Sequence, residues 1–335
     1  MLVNLKKAAP VERTGVGKPL VLRLSGYPIM STNLRDLANP KYWLFLLALL
    51  PFWLVAQLPY GWQISIGKVY GRFGTKVYKK SRKVIATNIK LCFPKLSELE
   101  QQSLIDRSAE QLGISIAETF LVWFRNNKKF IQDRVTVDGL EHFNEAIQSG
   151  RPIVLLSCHY GCVDLNGVLL SSLERGEKKF VATFRQTDDF VNRFLTSVRS
   201  QYCDLLLPSI DQRNIVKNLK NKNIIWYAPD IEVKGKNSEF VDFMGVKAST
   251  TVAISRLAKI TDALVLPVAH YREDESPAYR LKVFPALDQY PSADLSRDTR
   301  RINEAIEQII APDPTFYWWV IKRFKRRPDG EKSPY

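Results

Sequence analysis

At 335 residues, 45% hydrophobic and 25% charged, the chain has the composition of ordinary globular material and is long enough to bury one large core or two modest ones. That excludes a disordered polymer and a multi-span channel. Its 49 Lys and Arg against 34 Asp and Glu leave a net charge of +15, which calls for an acidic partner: nucleic acid, anionic lipid or an acidic carrier protein.

In chain order, the first forty residues carry Pro10, Gly15, Gly17, Pro19, Gly26 and Pro28, which break any period, so residues 1–40 are expected to be a flexible basic arm. Tyr42 to Leu58 then runs for seventeen residues without a charge and with aromatics at both ends, at the lower limit for a spanning helix. We expect a membrane anchor helix over 41–60. Both flanks are basic and Pro51 interrupts the run, so a monotopic or re-entrant anchor fits at least as well as a crossing; the plainer alternative is a buried core helix. The apolar run starts too far in, and lacks a small-residue cleavage site after it, to read as a signal peptide.

Ser97 with Glu100 forms a capping box that opens a long amphipathic helix, ELEQQSLIDRSAEQLGISIAETFLVWF. From Arg151 onward, short apolar runs (PIVLLSC, KFVATF, CDLLLPS, NIIWYAP, ALVLPVAHYR) alternate with helical patterns near 162–174, 188–200, 211–221 and 249–260. This alternation predicts an α/β fold, a mostly parallel sheet with helices on both faces. The run YRLKVFPAL and a last helix from about Asp294 to Ile310 complete one domain over 61–330. Four cysteines, Cys92, Cys158, Cys162 and Cys203, are too few for a disulfide framework and indicate a reducing, cytosol-facing compartment.

Of three histidines, His159 follows the apolar run PIVLLSC and precedes a helical stretch, the end of a strand where an open α/β sheet binds its ligands. Asp164 follows five residues later. A His in the entrance loop and an Asp in the first helical turn can reach one another, the carboxylate holding one ring N–H while the other nitrogen takes a proton from an attacking hydroxyl. The plain alternative is a capping Asp beside a loop His. Cys158, His159 and Cys162 resemble a zinc knuckle only superficially, since no second ligand pair lies at usable spacing. Cys162 as an acyl-carrying nucleophile is a further alternative, although Cys is more often a small buried hydrophobe. His142 and His270 read as structural.

The order and spacing of TNIKLCFPKLSELE, ETFLVWF, GLEHFNEAIQSGRPIVLLSCHYGCVDL, FRQTDD, APDIEVKGKNSEFVDFMGVKAST and YWWVIKRFKRRPDG, from about Trp43 to Gly330, resemble the late acyltransferases of lipid A biosynthesis, the lauroyl and myristoyl transferases of Gram-negative bacteria. Where that family usually has Gly-Asn-Trp-Glu this chain has GCVD, Asp230 is followed by Ile231, and the tail lacks the usual His. The resemblance implies a glycerol-phosphate-acyltransferase-like fold. It also implies an acyl carrier protein thioester as donor, a phosphorylated glucosamine disaccharide lipid as acceptor, and work at the cytoplasmic face of the inner membrane with no metal or organic cofactor. It makes His159 and Asp164 the catalytic pair. Arg185, Arg193, Arg199, Asp230 and Lys234 are candidates to meet a phosphorylated acceptor, Arg185 and Asp230 being favoured because they match the family's blocks, and the alternative being solvated surface charge.

Two other functions fit less well. A glycerol-phosphate or lysophospholipid acyltransferase uses the same H-x4-D logic, but its usual glycine-rich phosphate loop is replaced by APDIEVKGK. A basic, non-enzymatic membrane-tethered protein accounts for the charge alone. Nucleic acid is disfavoured, because the charge gathers near apolar aromatic segments and no nucleic-acid-binding signature is present. The tail, with Phe316, Tyr317, Trp318 and Trp319 ahead of Lys322, Arg323, Lys325, Arg326 and Arg327, reads as a second contact with an anionic leaflet, the alternative being that these aromatics are core.

Overall fold

The computed structural model describes residues 20–24, 27–32, 40–125, 134–233, 235, 237–273 and 278–335. Part of the stretch expected to be a flexible arm is an antiparallel hairpin, β1 (Leu20–Leu24) with β2 (Tyr27–Thr32).

The apolar segment forms helix α1 (Pro40–Gln57), with Pro51 inside it. Among the described residues no helix is long and apolar enough to cross a membrane. Its Tyr42, Phe45, Leu49, Phe52 and Trp53 pack on buried Phe124, Phe190, Phe194 and Val198, with Tyr42 stacked on Phe190 at 3.8 Å between ring centroids and Phe52 on Phe120 at 4.2 Å. The other side, Trp43, Leu44, Leu47, Leu50 and Leu54, is exposed. The segment thus makes a core contact on one side and leaves an uncovered apolar face on the other.

Helices α2 (Tyr60–Val77), α3 (Lys79–Cys92) and α4 (Glu98–Phe124) follow. The capping box is formed: the Ser97 hydroxyl accepts from the Glu100 amide while the Glu100 carboxylate accepts from the Ser97 amide at 2.8 Å. Helix α2 crosses α4 at bare backbone, because a Cβ on Gly71 would lie 2.1 Å from the Ala109 carbonyl oxygen, and one on Gly113 2.1 Å from that of Gly67.

The main body is a seven-stranded sheet in the order β3 (Val135–Asp138), β11 (Ala278–Val283), β10 (Leu264–Glu273), β4 (Ile153–Leu156), β7 (Ile224–Tyr227), β5 (Phe180–Phe184), β6 (Leu205–Pro208). Every neighbouring pair is parallel except β10 with β11. The expected mostly parallel α/β sheet is borne out. All four residues of β4 and of β7 are buried, as continuous apolar runs covered on both faces must be. Alternate residues feed two cores. Val154, Leu156, Ile225 and Tyr227 meet α8 (Gln212–Lys220), α9 (Ala253–Thr261) and α10 (Leu295–Ile310), while Ile153, Leu155, Ile224 and Trp226 meet α5 (Leu140–Gln148) and α6 (Val163–Ser171). Helix α7 (Asp189–Arg199) lies between β5 and β6 in the chain. The helix expected from 249 starts at Ala253, because Val246–Thr251 is strand β9, paired with β8 (Ser238–Phe243) in a hairpin of its own.

Candidate active site

Strands β4 and β7 are paired in register, Leu156 opposite Tyr227. Three residues beyond these partners, at the carboxyl ends of both strands, His159 and Asp230 meet. Asp230 Oδ1 accepts from the His159 ring at Nδ1 (2.8 Å) and its Oδ2 from the His159 backbone N–H (2.9 Å), so one carboxylate fixes both the ring and the loop carrying it. The tautomer with hydrogen on Nδ1 follows from that acceptor and leaves Nε2 as a base. The Asp230 side chain has no exposure and that of His159 retains 19%. Burial works against the charged imidazole, but the carboxylate outweighs it and holds the His159 pKa above its ordinary value. Burial likewise opposes the Asp230 charge, and His159 outweighs it, holding that carboxyl below its usual range.

Asp164, expected on the His159 ring, has other partners. In the first turn of buried α6 it is gripped by the Arg199 guanidinium, Nε at 2.8 Å and Nη2 at 3.2 Å, and the Tyr202 hydroxyl donates to it at 2.5 Å. Burial opposes its ionisation but Arg199 prevails, so it is an anion whose charge is already met. The sequence spacing was compatible with a His159–Asp164 contact; the register of two strands distant in sequence supplied a different carboxylate. Arg199 is near enough to disfavour protonation of His159, so the Asp164–Arg199 pair borders the site without touching the ring.

Cys162 is sealed in the interior, where its sulfur accepts from the Leu165 amide at 3.3 Å and caps α6, and the Thr119 hydroxyl lies at 3.4 Å. Burial pushes its thiol, and that of Cys158, well above the usual range, which removes the thiolate that a nucleophile or metal ligand needs. Among the described residues no three His, Cys, Asp or Glu side chains gather as a metal site would require. Of the residues expected at the acceptor, Arg185 is exposed just past the end of β5, Arg193 is half-buried on α7, and Asp230 is turned wholly to His159. Lys234 lies outside the described residues. His142 is half-buried on α5, and His270 is buried on β10, where desolvation and then Arg272 push its pKa down to about 3.

The aromatic part of the tail is built into the interior. Phe316, Tyr317, Trp319 and Phe324 are buried at 7%, 2%, 2% and 0% exposure, and Arg323 is enclosed with its guanidinium donating to the Ser249 carbonyl, Thr250 Oγ1 and Asn303 Oδ1. Of the two readings of the tail, the core one holds for Phe316, Tyr317 and Trp319, and Arg323 is an interior strut, while Trp318 is half-buried and Lys322 and Lys325 are exposed.

The model of the family described as bacterial lipid A biosynthesis acyltransferase matches residues 30–326. The lipid A biosynthesis lauroyltransferase of Escherichia coli (strain K12) is 29% identical over 93% of this chain and 100% of its own length. The lipid A biosynthesis myristoyltransferase of the same organism is 28% identical over 90% of this chain and 93% of its own, and a lipid A biosynthesis acyltransferase of Haemophilus influenzae is 30% identical over 88% and 94%. Among solved structures, the 1-acyl-sn-glycerophosphate (LPA) acyltransferase PlsC of Thermotoga maritima aligns with 70% of this chain and 98% of its own, at 14% identity and a TM-score of 0.35. With nearly its whole length matched, this chain belongs to the bacterial lipid A biosynthesis acyltransferase family.

Proposed function

We propose that the protein moves a fatty acyl chain from an acyl carrier protein thioester to a hydroxyl of a lipid A precursor at the cytoplasmic face of the inner membrane. His159 is the general base and Asp230 its orienting carboxylate. The observation that carries the reading is the two-point hold of Asp230 on His159, which leaves Nε2 of a partly accessible imidazole to take a proton. As the acceptor oxygen attacks the thioester carbonyl, its proton passes to Nε2 and the imidazolium is stabilised by Asp230; collapse of the tetrahedral intermediate breaks the carbon–sulfur bond, and the proton passes on to the departing thiolate. No covalent acyl-enzyme is required, in keeping with the sealed, neutral Cys162. Arg185, Arg193 and Lys234 are assigned to the phosphates of the acceptor, and the acidic carrier suits a chain of charge +15.

Mass spectrometry of lipid A from cells lacking the protein is expected to show the loss of one or two secondary acyl chains. Purified protein is expected to restore them in vitro with the acyl carrier thioester as donor. Unchanged lipid A would sink the reading, and transfer from acyl-coenzyme A onto a lysophospholipid instead would favour the glycerophospholipid alternative.

A further inference from the structure

The residues after η1 (Pro314–Phe316) form a strap that pairs with the His159 loop backbone to backbone. Trp318 N–H donates to the His159 carbonyl (2.9 Å), Gly161 N–H donates to the Phe316 carbonyl (2.9 Å), and the Trp318 indole N–H donates to the Gly161 carbonyl (2.8 Å). The Trp318 and His159 rings lie 5.4 Å apart. The strap is itself anchored, since Nδ2 of Asn88 on α3 donates to the Trp319 and Ile321 carbonyls at 2.6 and 2.7 Å. Beneath the loop there is no slack. Gly161 has φ +58°, and a Cβ there would come 2.8 Å from Nε2 of buried His270. Phe316, Tyr317 and Trp319 are core, whereas Trp318 alone of these four is half-buried and beside the imidazole.

We propose that Trp318 is a positioning residue for the reaction: its two N–H groups hold the carbonyls of His159 and Gly161, so the loop is clamped between Asp230 and the strap and the imidazole keeps one orientation. The proposal rests on the reading of His159 as the base. A carboxylate on Nδ1 restrains the ring at one point and the loop at another, but leaves the far side of the loop to be held by something else. Misplacement of a catalytic group by about 1 Å can cost on the order of 10²-fold in rate, so a clamp that adds no substrate contact still acts on turnover.

The test compares Trp318→Phe, which keeps an aromatic ring and the backbone donor, with benzothienylalanine placed at 318, which keeps the shape of tryptophan and removes only the N–H. Both are assayed on the full chain with an acyl carrier thioester and lipid A precursor, beside His159→Gln. Either variant is expected to lower kcat by about 5- to 30-fold with both KM values within about twofold, and to move the acid limb of the kcat profile toward lower pH as the hold of Asp230 on the ring loosens. A rise in KM at unchanged kcat would make Trp318 a substrate contact, and unchanged kcat with an unmoved limb would remove the clamp; either overturns the proposal. If Trp318→Phe does not fold, the benzothienyl protein decides. Full activity of His159→Gln would instead overturn the base reading on which the clamp depends, so the two failures are told apart.

Discussion

At the residue scale, His159 and its two neighbouring carboxylates divide the work by their partners. Asp230 spends its charge on the imidazole, whereas Asp164 spends it on Arg199 and Tyr202. Substituting His159→Ala should lower kcat by about 10² to 10⁴, the range for a lost general base. Asp230→Ala should cost on the order of 10², and the double variant little more than His159→Ala alone, because residues acting as one unit give non-additive losses. Steady-state kinetics on the three proteins checks this, and additive losses would separate the two residues. Asp164→Ala should act on folding instead: it leaves Arg199 buried and unpaired, at about 3–5 kcal/mol, measured by denaturant titration. The pH profile gives a second check. On the proposed mechanism the base is neutral, and Asp230 raises the His159 pKa, so the acid limb of kcat/KM should lie above the ordinary histidine value of about 6.5. Asp230→Asn removes the charge favouring imidazolium, so the limb should slide to lower pH even as the plateau falls. A limb that moves upward, or stays, would show another group titrating.

Element by element, what could be read in the sequence was what is local. The capping box at Ser97 and the apolar runs of β4 and β7 announced themselves through short-range patterns. The β8–β9 hairpin did not, because its turn carries Met244 at φ +51° before Gly245 at φ +79°, a left-handed pair usually signalled by Asn-Gly. Asp230 was singled out in the sequence for the acceptor, but its contact with His159 was not legible, since that depends on Leu156 lying opposite Tyr227, a pairing between strands some seventy residues apart. The tail misled for a related reason: aromatics beside arginines look the same at a membrane surface and in a core where Arg323 finds three acceptors. The α2–α4 crossing was also silent, and it makes a sharp prediction. Gly71→Ala would drive its Cβ into the Ala109 carbonyl and should cost about 1–3 kcal/mol or more. Gly74→Ala, one turn on with nothing within 4 Å, should gain about 1 kcal/mol of helix propensity. Equal stabilities by chemical denaturation would mean the helices do not cross at bare backbone.

For the whole molecule, charge and exposed apolar surface gather on the same stretch. Between Pro40 and Ser97 the sequence has ten Lys and Arg and no Asp or Glu. That stretch also presents exposed Trp43, Leu44, Leu47, Leu50 and Leu54 on α1 and Trp62, Ile66, Val69, Phe73 and Val77 on α2. Apolar side chains uncovered beside a positive excess, of which Arg72 and Arg82 are paired with Glu110 and Asp106, suit an anionic bilayer surface met in plane. A buried apolar side chain contributes about 1.5–3 kcal/mol and a juxtamembrane Lys or Arg about 1 kcal/mol, so the expectation is firm but salt-sensitive attachment. The full chain should therefore float with vesicles containing phosphatidylglycerol and bind pure phosphatidylcholine much less. Phe73→Asp with Val77→Asp should weaken that binding by tenfold or more, since both side chains are exposed and neither substitution disturbs the core. By contrast, Lys322→Ala with Lys325→Ala should change it little: both lysines are exposed, but Phe316, Tyr317, Trp319 and Phe324 beside them are buried and offer a bilayer no apolar surface. If the tail pair weakened flotation more than the helix pair, the attachment face would lie at the strap and α2 would owe its apolar surface to another cause.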